Sequence, residues 1–120
     1  MLSKKMLNAL NDQIHHELES AYIYLSMSAY FEAENLPGFA QWMELQFREE
    51  MDHAFRFYDF ILRRGERVVL QAISAPPAGY DSPLAAFEEA LGHEQKISAD
   101  IHRLYTVSYT HLRAHETKAN

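Results

Sequence analysis

Three glutamates occupy positions where the surrounding pattern predicts apolar side chains. Apolar residues recur at spacings of three and four along three long segments, as on the buried face of a helix. The same series includes Glu17 in the first segment, Glu50 in the second and Glu94 in the third. His53 follows Glu50 by three residues, so both lie on one helical face. Carboxylates and an imidazole on inward faces are side chains that hold metal ions.

The three glutamates also lie at similar heights. Glu17 and Glu50 are each about 13 residues into their helices and Glu94 about 11, roughly 17–20 Å from each helix start. Three ionised carboxylates in a dry interior cost several kcal/mol each, against a total stability of about 5–15 kcal/mol. Protonation or a pair of divalent cations would compensate them. Oxygen donors with one imidazole favour iron or manganese over a structural zinc.

The elements that position these residues are predicted to be helices. Glycine and proline number four each, and they divide the chain into long segments without helix breakers. The first helix is predicted over residues 4–33 and the second over 37–64, with Asn35 as the N-cap of the second. Pro37 suits a first turn, and Gly65 suits the left-handed position after a helix. Two long helices joined by a tight turn are expected to be antiparallel.

A long connection precedes the third predicted helix. Residues 66–81, extended at roughly 3.3 Å each, can span about 50 Å, which is about the length of a 30-residue helix. Ser82 and Pro83 predict a cap and a first turn, and the third helix extends to about Leu104. It therefore begins beside the start of the second helix and runs parallel to it. Beyond Leu104, β-branched and polar residues favour a helix only weakly.

Composition excludes several classes of protein. A chain of 120 residues predicts one domain, and 17 acidic against 11 basic residues give a net charge of −6. Nucleic acid is a poor partner because its phosphates require clustered basic residues. The chain has no cysteine, which excludes disulfides, thiolate nucleophiles and cysteine-held metals. With no signal peptide and no apolar run of membrane-spanning length, we expect a soluble, cytoplasmic protein.

Several short motifs stand together between Met1 and about Leu104. They are Leu10-Asn11-Asp12-Gln13-Ile14, Glu17-Leu18, Tyr22 to Met27, Glu49-Glu50-Met51-Asp52-His53, Ser82-Pro83-Leu84 and His93-Glu94-Gln95. In this combination the chain resembles the non-haem bacterial ferritins. The resemblance implies an all-α fold, a ferritin-like antiparallel helical bundle with a long crossover between helices two and three.

The resemblance also implies ligands and a function. Glu17, Glu50 and His53 match the ligands of one iron, and Glu50 bridges to a second iron that Glu94 also binds. Glu49 matches an acid of an accessory third iron site. Such proteins oxidise ferrous iron with oxygen or peroxide and store the ferric mineral inside a hollow shell of subunits. Iron in a di-iron centre and further copies of the chain are therefore the expected cofactor and partners.

The resemblance does not cover the whole sequence. Residues 1–107 match as an incomplete ferritin-like domain, whereas residues 108–120 form a non-matching C-terminal tail. Ferritin subunits continue into a fourth long helix that supplies a further ligand. We therefore expect a chain truncated before that helix, with one side of the bundle exposed.

Individual residues have alternative interpretations. A register shifted by one position would place Leu18, Met51 and Leu91 in the core and the glutamates at its edge. Tyr24 matches the tyrosine beside the ferritin centre, so the resemblance adds it to Glu17, Glu50, His53 and Glu94 as a catalytic residue. From the residues alone it is either plain core or a hydrogen-bond donor to a metal-bound carboxylate. Glu49 is either a surface charge or a ligand where iron arrives. The remaining histidines are interpreted mainly as surface or tail residues: His15, His16, His93, His102, His111 and His115.

Three rival functions are weighed against ferroxidase activity. A non-catalytic helical interaction module would pair its open face with another chain, independently of metals. A bacterioferritin-type subunit also fits Glu50-Met51-Asp52-His53, with Met51 as a haem ligand. A rubrerythrin is disfavoured because its second iron domain needs cysteines.

Overall fold

The protein folds into three α-helices. The structure is a computed structural model, and it describes the backbone of residues 2–119 and the side chains of residues 2–107. The helices are α1 (Lys4–Ala33), α2 (Pro37–Arg63) and α3 (Pro83–Ala119), and the described residues contain no strand. The all-α class is confirmed, and the first two helices end within one residue of the predicted bounds. The backbone of α3 continues beyond the predicted end near Leu104. The predicted tail, 108–120, has its side chains outside the described residues.

Both reversals at the ends of α1 and α2 use the same hydrogen-bonded closure. Asn35 has a φ of 60°, and Leu36 donates its N–H to the Phe31 carbonyl at 2.9 Å. Gly65 has a φ of 73° after α2, as predicted. Asn35 was wrongly predicted as the N-cap of α2: Leu36 holds that position without a side-chain cap. The left-handed conformation that closes α1 uses Asn35, since asparagine tolerates it better than most residues.

Helix α1 is the centre of the bundle, and both other helices pack on it. The Phe87 ring of α3 lies 5.1 Å from the Phe39 ring of α2, which places the two helix starts side by side. One apolar cluster, which includes Phe31 and Met43, lies near the α1–α2 turn. A second cluster at the other end includes Ile61. A band of buried polar residues separates them.

The buried face of α3 differs from the predicted one, which follows the series Leu84, Phe87, Leu91, Glu94, Ser98 and Ile101. Ala86, Ala90 and Ile97 are buried, whereas Leu84 is 67% exposed and Leu91 is 60% exposed. Small alanines allow α3 to lie close to α1, and the leucines are turned away from that contact. The register-shift alternative fails on α1 and α2, because Glu17 and Glu50 are buried. On α3 it is wrong about Leu91, which is exposed, whereas Glu94 is only partly buried. Within the described residues, no helix is long and apolar enough to cross a membrane.

Asn11 anchors the crossover between α2 and α3. Its Nδ2 donates to the Arg67 carbonyl at 3.2 Å, and its Oδ1 accepts from the Val69 N–H at 2.8 Å. We expect Asn11→Ala to cost about 1–3 kcal/mol, because two backbone groups of the crossover lose their partner. Urea denaturation measures this loss. The matched control is Gln71→Ala, which removes an exposed bond to Asp12 and should change stability little; equal losses in the two variants would contradict the anchor.

Candidate metal centre

Two buried carboxylates and an imidazole meet at mid-height between α1 and α2. Glu17 of α1 is completely buried, and Glu50 of α2 is 3% exposed. His53 Nδ1 lies 3.7 Å from Glu17 Oε2 and 3.7 Å from Glu50 Oε2. One donor atom from each of the three residues lies within 4.8 Å of the others, and the described residues contain no other such group of three. The arrangement offers three converging donors to one cation.

The facing atoms lack partners of their own. Glu17 Oε2, Glu50 Oε2 and His53 Nδ1 are buried and make no hydrogen bond within the described part of the chain. The other Glu17 oxygen accepts a hydrogen bond from Gln13 Nε2 at 3.2 Å. Among the described residues, no lysine or arginine pairs with either carboxylate. Since unpaired buried donors and acceptors are costly, this donor set fits a divalent cation.

Without a metal ion, the surroundings of Glu50 disfavour the ionised form of its carboxyl group. Burial raises the pKa of Glu50 to about 9, and the neighbouring carboxylates of Glu17, Glu94 and Glu49 add to the rise. Glu50 without a metal is therefore protonated at neutral pH. A cation displaces this proton, because a metal ligand must be deprotonated.

Glu94 of α3 lies beside the centre and contacts Tyr24 of α1. The Tyr24 hydroxyl donates a hydrogen bond to Glu94 Oε1. Burial and this contact raise the pKa of Tyr24, so the phenol keeps its proton as the donor. Glu94 is partly buried, and it is outside the group of three converging donors. Glu49 is exposed on α2. The structure thus brings Glu17, Glu50 and His53 together, with Glu94 and Tyr24 as a neighbouring pair.

Two histidines that the sequence places at the surface have partners. His15 Nε2 lies 3.7 Å from Glu19 Oε2. His16 Nδ1 lies 3.1 Å from Oδ2 of Asp100, which is almost fully buried on α3. Sequence analysis did not single out Asp100 or Gln13. Two spacings in the sequence could have identified them. Asp100 continues the helical spacing of Ala86, Ala90 and Ile97, and Gln13 lies four residues before Glu17.

Fold and site together define a helical bundle with a carboxylate–histidine centre. A family model for the ferritin-like domain matches residues 7–115. The chain belongs to this ferritin-like family.

Several known proteins are similar to the chain. A bacterial non-heme ferritin of Bacteroides fragilis is 42% identical over 108 residues, which are 90% of this chain and 68% of that protein. One from Staphylococcus saprophyticus is 39% identical, over 90% of this chain and 63% of its own length. An open pore ferritin from the archaeon Archaeoglobus fulgidus aligns with a TM-score of 0.90 and 45% identity, covering 94% of this chain and 70% of that one.

Proposed function

We propose that this chain is an iron storage subunit that oxidises Fe²⁺ at the centre formed by Glu17, Glu50 and His53. The observation that carries the proposal is the set of buried, unpartnered donor atoms on these three residues. A carboxylate pair with one imidazole suits first-row transition ions. The family and the similarity to bacterial non-heme ferritins make iron the metal of choice.

Each side chain has a distinct role in this proposal. Glu17 and His53 bind the first ferrous ion, and Glu50 bridges it to a second ion that Glu94 binds. Tyr24 orients the Glu94 carboxylate through its hydroxyl. Each Fe²⁺ loses one electron to the oxidant, oxygen or peroxide. Two ions held side by side can deliver two electrons without diffusing apart.

Glu49 extends the proposal toward the solvent. It precedes Glu50 on α2 and is exposed, so a third ion bound there is reached directly from water. Its charge contributes to the raised pKa of Glu50, which indicates electrostatic coupling between the two positions. We assign Glu49 to an accessory site that exchanges iron with the buried centre.

Storage requires more than one subunit. We propose a homo-oligomeric shell in the cytoplasm, in which the oxidised iron accumulates as a mineral. Several large apolar side chains are exposed on the described part of the chain and are available for subunit contacts. They include Tyr22, Trp42, Leu45, Phe55 and Leu62.

Anaerobic addition of Fe²⁺ followed by air tests the reaction. Wild-type protein should develop a ferric absorbance. Glu50→Ala should lower the initial rate at least about a hundredfold, because losing a direct ligand exceeds the about 10–100-fold effect of losing an outer-shell partner. Asp52→Ala is the matched control: Asp52 is exposed on the same helix, and its loss should leave the rate unchanged. Equal rates in Glu50→Ala and wild type would contradict the proposal.

A further inference from the structure

A buried glutamine lies one helical turn before Glu17, outside the group of three converging donors. Gln13 and Glu17 are four residues apart on α1, so their side chains are neighbours on the helix surface. Gln13 Nε2 donates a hydrogen bond to Glu17 Oε1 at 3.2 Å. Gln13 is 3% exposed and Glu17 is completely buried. Because the bond is closed to solvent, water does not readily replace the amide as the donor.

The two oxygens of Glu17 have different surroundings. Oε1 accepts the bond from Gln13, whereas Oε2 has no hydrogen-bond partner among the described residues and lies 3.7 Å from His53 Nδ1. The terminal torsion of a glutamate is broad, so the carboxylate by itself adopts many orientations. The bond from Gln13 restricts this torsion. Oε2 is therefore the oxygen that faces Glu50 and His53.

An amide is a suitable donor beside a cation site. A lysine or arginine at this position would also donate to Glu17, but its positive charge would repel a cation. Glutamine donates without a charge, so Glu17 keeps its full negative charge for the ion. The basic residues Lys96 and Arg103 of α3 contact other acids, Glu19 and Asp100.

Close packing does not account for the position of the Gln13 side chain. Gln13 lines a cavity of about 350 Å³ between α1 and α3, together with residues such as Ala9 and Leu104. One side of the glutamine thus has free space. Within the described part of the chain, its side chain makes the hydrogen bond to Glu17 and no other. This bond, more than steric confinement, fixes the amide next to the centre.

We propose that Gln13 is a positioning residue for the candidate centre. It holds the Glu17 carboxylate with one oxygen toward the ion, and it does so without adding charge. The inference rests on the proposed function, because it assigns a role at that site to a residue that is not itself a ligand. Loss of an outer-shell partner of a metal ligand typically lowers metal affinity or activity by about 10–100-fold.

Gln13→Met tests this role, because methionine has a similar length and cannot donate. Co²⁺ binding to the full chain, measured by calorimetry, should weaken at least about tenfold. The d–d absorbance of the Co²⁺-saturated variant should also change, since Oε1 becomes free to bind the ion and the spectrum reports coordination geometry. A merely structural residue would lower the melting temperature and leave affinity and spectrum unchanged. Gln41→Met is the matched control: it makes the same replacement at an exposed position of α2 and should leave both unchanged.

Gln13→Lys separates the donor from its lack of charge. The lysine keeps a donor for Glu17 and brings a positive charge, so Co²⁺ binding should be weaker than in Gln13→Met. Tighter binding in Gln13→Lys than in Gln13→Met would overturn the inference. If the buried lysine prevents folding, Gln13→Met decides the question.

The outcomes distinguish this inference from the proposed function. Equal Co²⁺ affinity and equal spectra in wild type and Gln13→Met overturn the inference alone. A wild-type chain that binds Co²⁺ but oxidises no Fe²⁺ contradicts the proposed function alone. A wild-type chain that binds no Co²⁺ contradicts both.

Discussion

Replacing Glu50 with glutamine should raise the melting temperature of the metal-free protein at pH 8 while it abolishes iron oxidation. The amide keeps the shape of the side chain and cannot ionise among the carboxylates of Glu17 and Glu94. We expect a rise of at least about 4 °C, which corresponds to about 1 kcal/mol in a domain of this size. Thermal unfolding followed by circular dichroism after chelator treatment measures it.

The raised pKa of Glu50 determines how the stability of the wild-type protein changes with pH. Burial raises the pKa of Glu50 from 4.5 to about 9 in the folded chain. Between these two values the unfolded chain has released the proton and the folded chain retains it. Stability from this group is therefore fully present below about pH 4.5 and falls as the pH rises toward about 9. The advantage of Glu50→Gln over wild type should grow across the same range.

Glu49→Gln is the matched control for this experiment. Glu49 is the neighbouring glutamate on α2, but its side chain is exposed. Removing its charge should change the melting temperature by less than about 2 °C, as for most surface substitutions. A difference between wild type and Glu50→Gln that stays constant from pH 5 to pH 9 would show that Glu50 is ionised in the folded chain.

Phe31→Ala should produce the largest loss of stability of any substitution considered. Phe31 is fully buried near the α1–α2 turn, with its ring 5.2 Å from Phe87 and 5.6 Å from Phe39. Truncation leaves a cavity where all three helices meet, at a cost of about 3–5 kcal/mol. This is a large part of the about 5–15 kcal/mol that stabilises a domain. The midpoint of urea denaturation reports it.

Phe55→Ala removes the same number of atoms from an exposed position. Phe55 lies on α2 and half of its surface is exposed, so its truncation should cost about 1 kcal/mol or less. A loss in Phe31→Ala that does not exceed the loss in Phe55→Ala would mean that the cluster near the turn does not hold the three helices together.

The first two helices could be predicted closely because their signals are local. Proline, glycine and caps fix helix ends through interactions within a few residues. Asn35 was misassigned because capping and left-handed closure use the same residue type, and only the tertiary turn decides between them. The register of α3 was missed because Leu84 and Leu91 look like core residues. Because α3 lies close to α1, the small residues Ala86 and Ala90 are buried instead. No local pattern in the sequence distinguishes these alanines from exposed ones.

The candidate centre could be predicted from the sequence because charged residues interrupt the apolar series of each helix. Glu17, Glu50 and His53 meet in space as the hypothesis requires, although their metal-binding role remains a prediction. Asp100 was missed for the same reason as the α3 register, because the apolar series on α3 favours the neighbouring Ile101 as the buried residue. Pairing between His16 and Asp100 depends on the rotation of two helices about their axes, which sequence spacing alone does not fix.

Between the two apolar clusters, the fully buried apolar side chains of α1 and α2 are small ones, Ala21 and Ala54. Glu17 belongs to α1, whereas Glu50 and His53 belong to α2. A cation bound by these residues therefore links the two helices at the level where they bury the least apolar surface. In the proposed function, metal binding and the rigidity of the bundle are therefore coupled, because an ion bound between Glu17 and Glu50 stiffens the contact between α1 and α2.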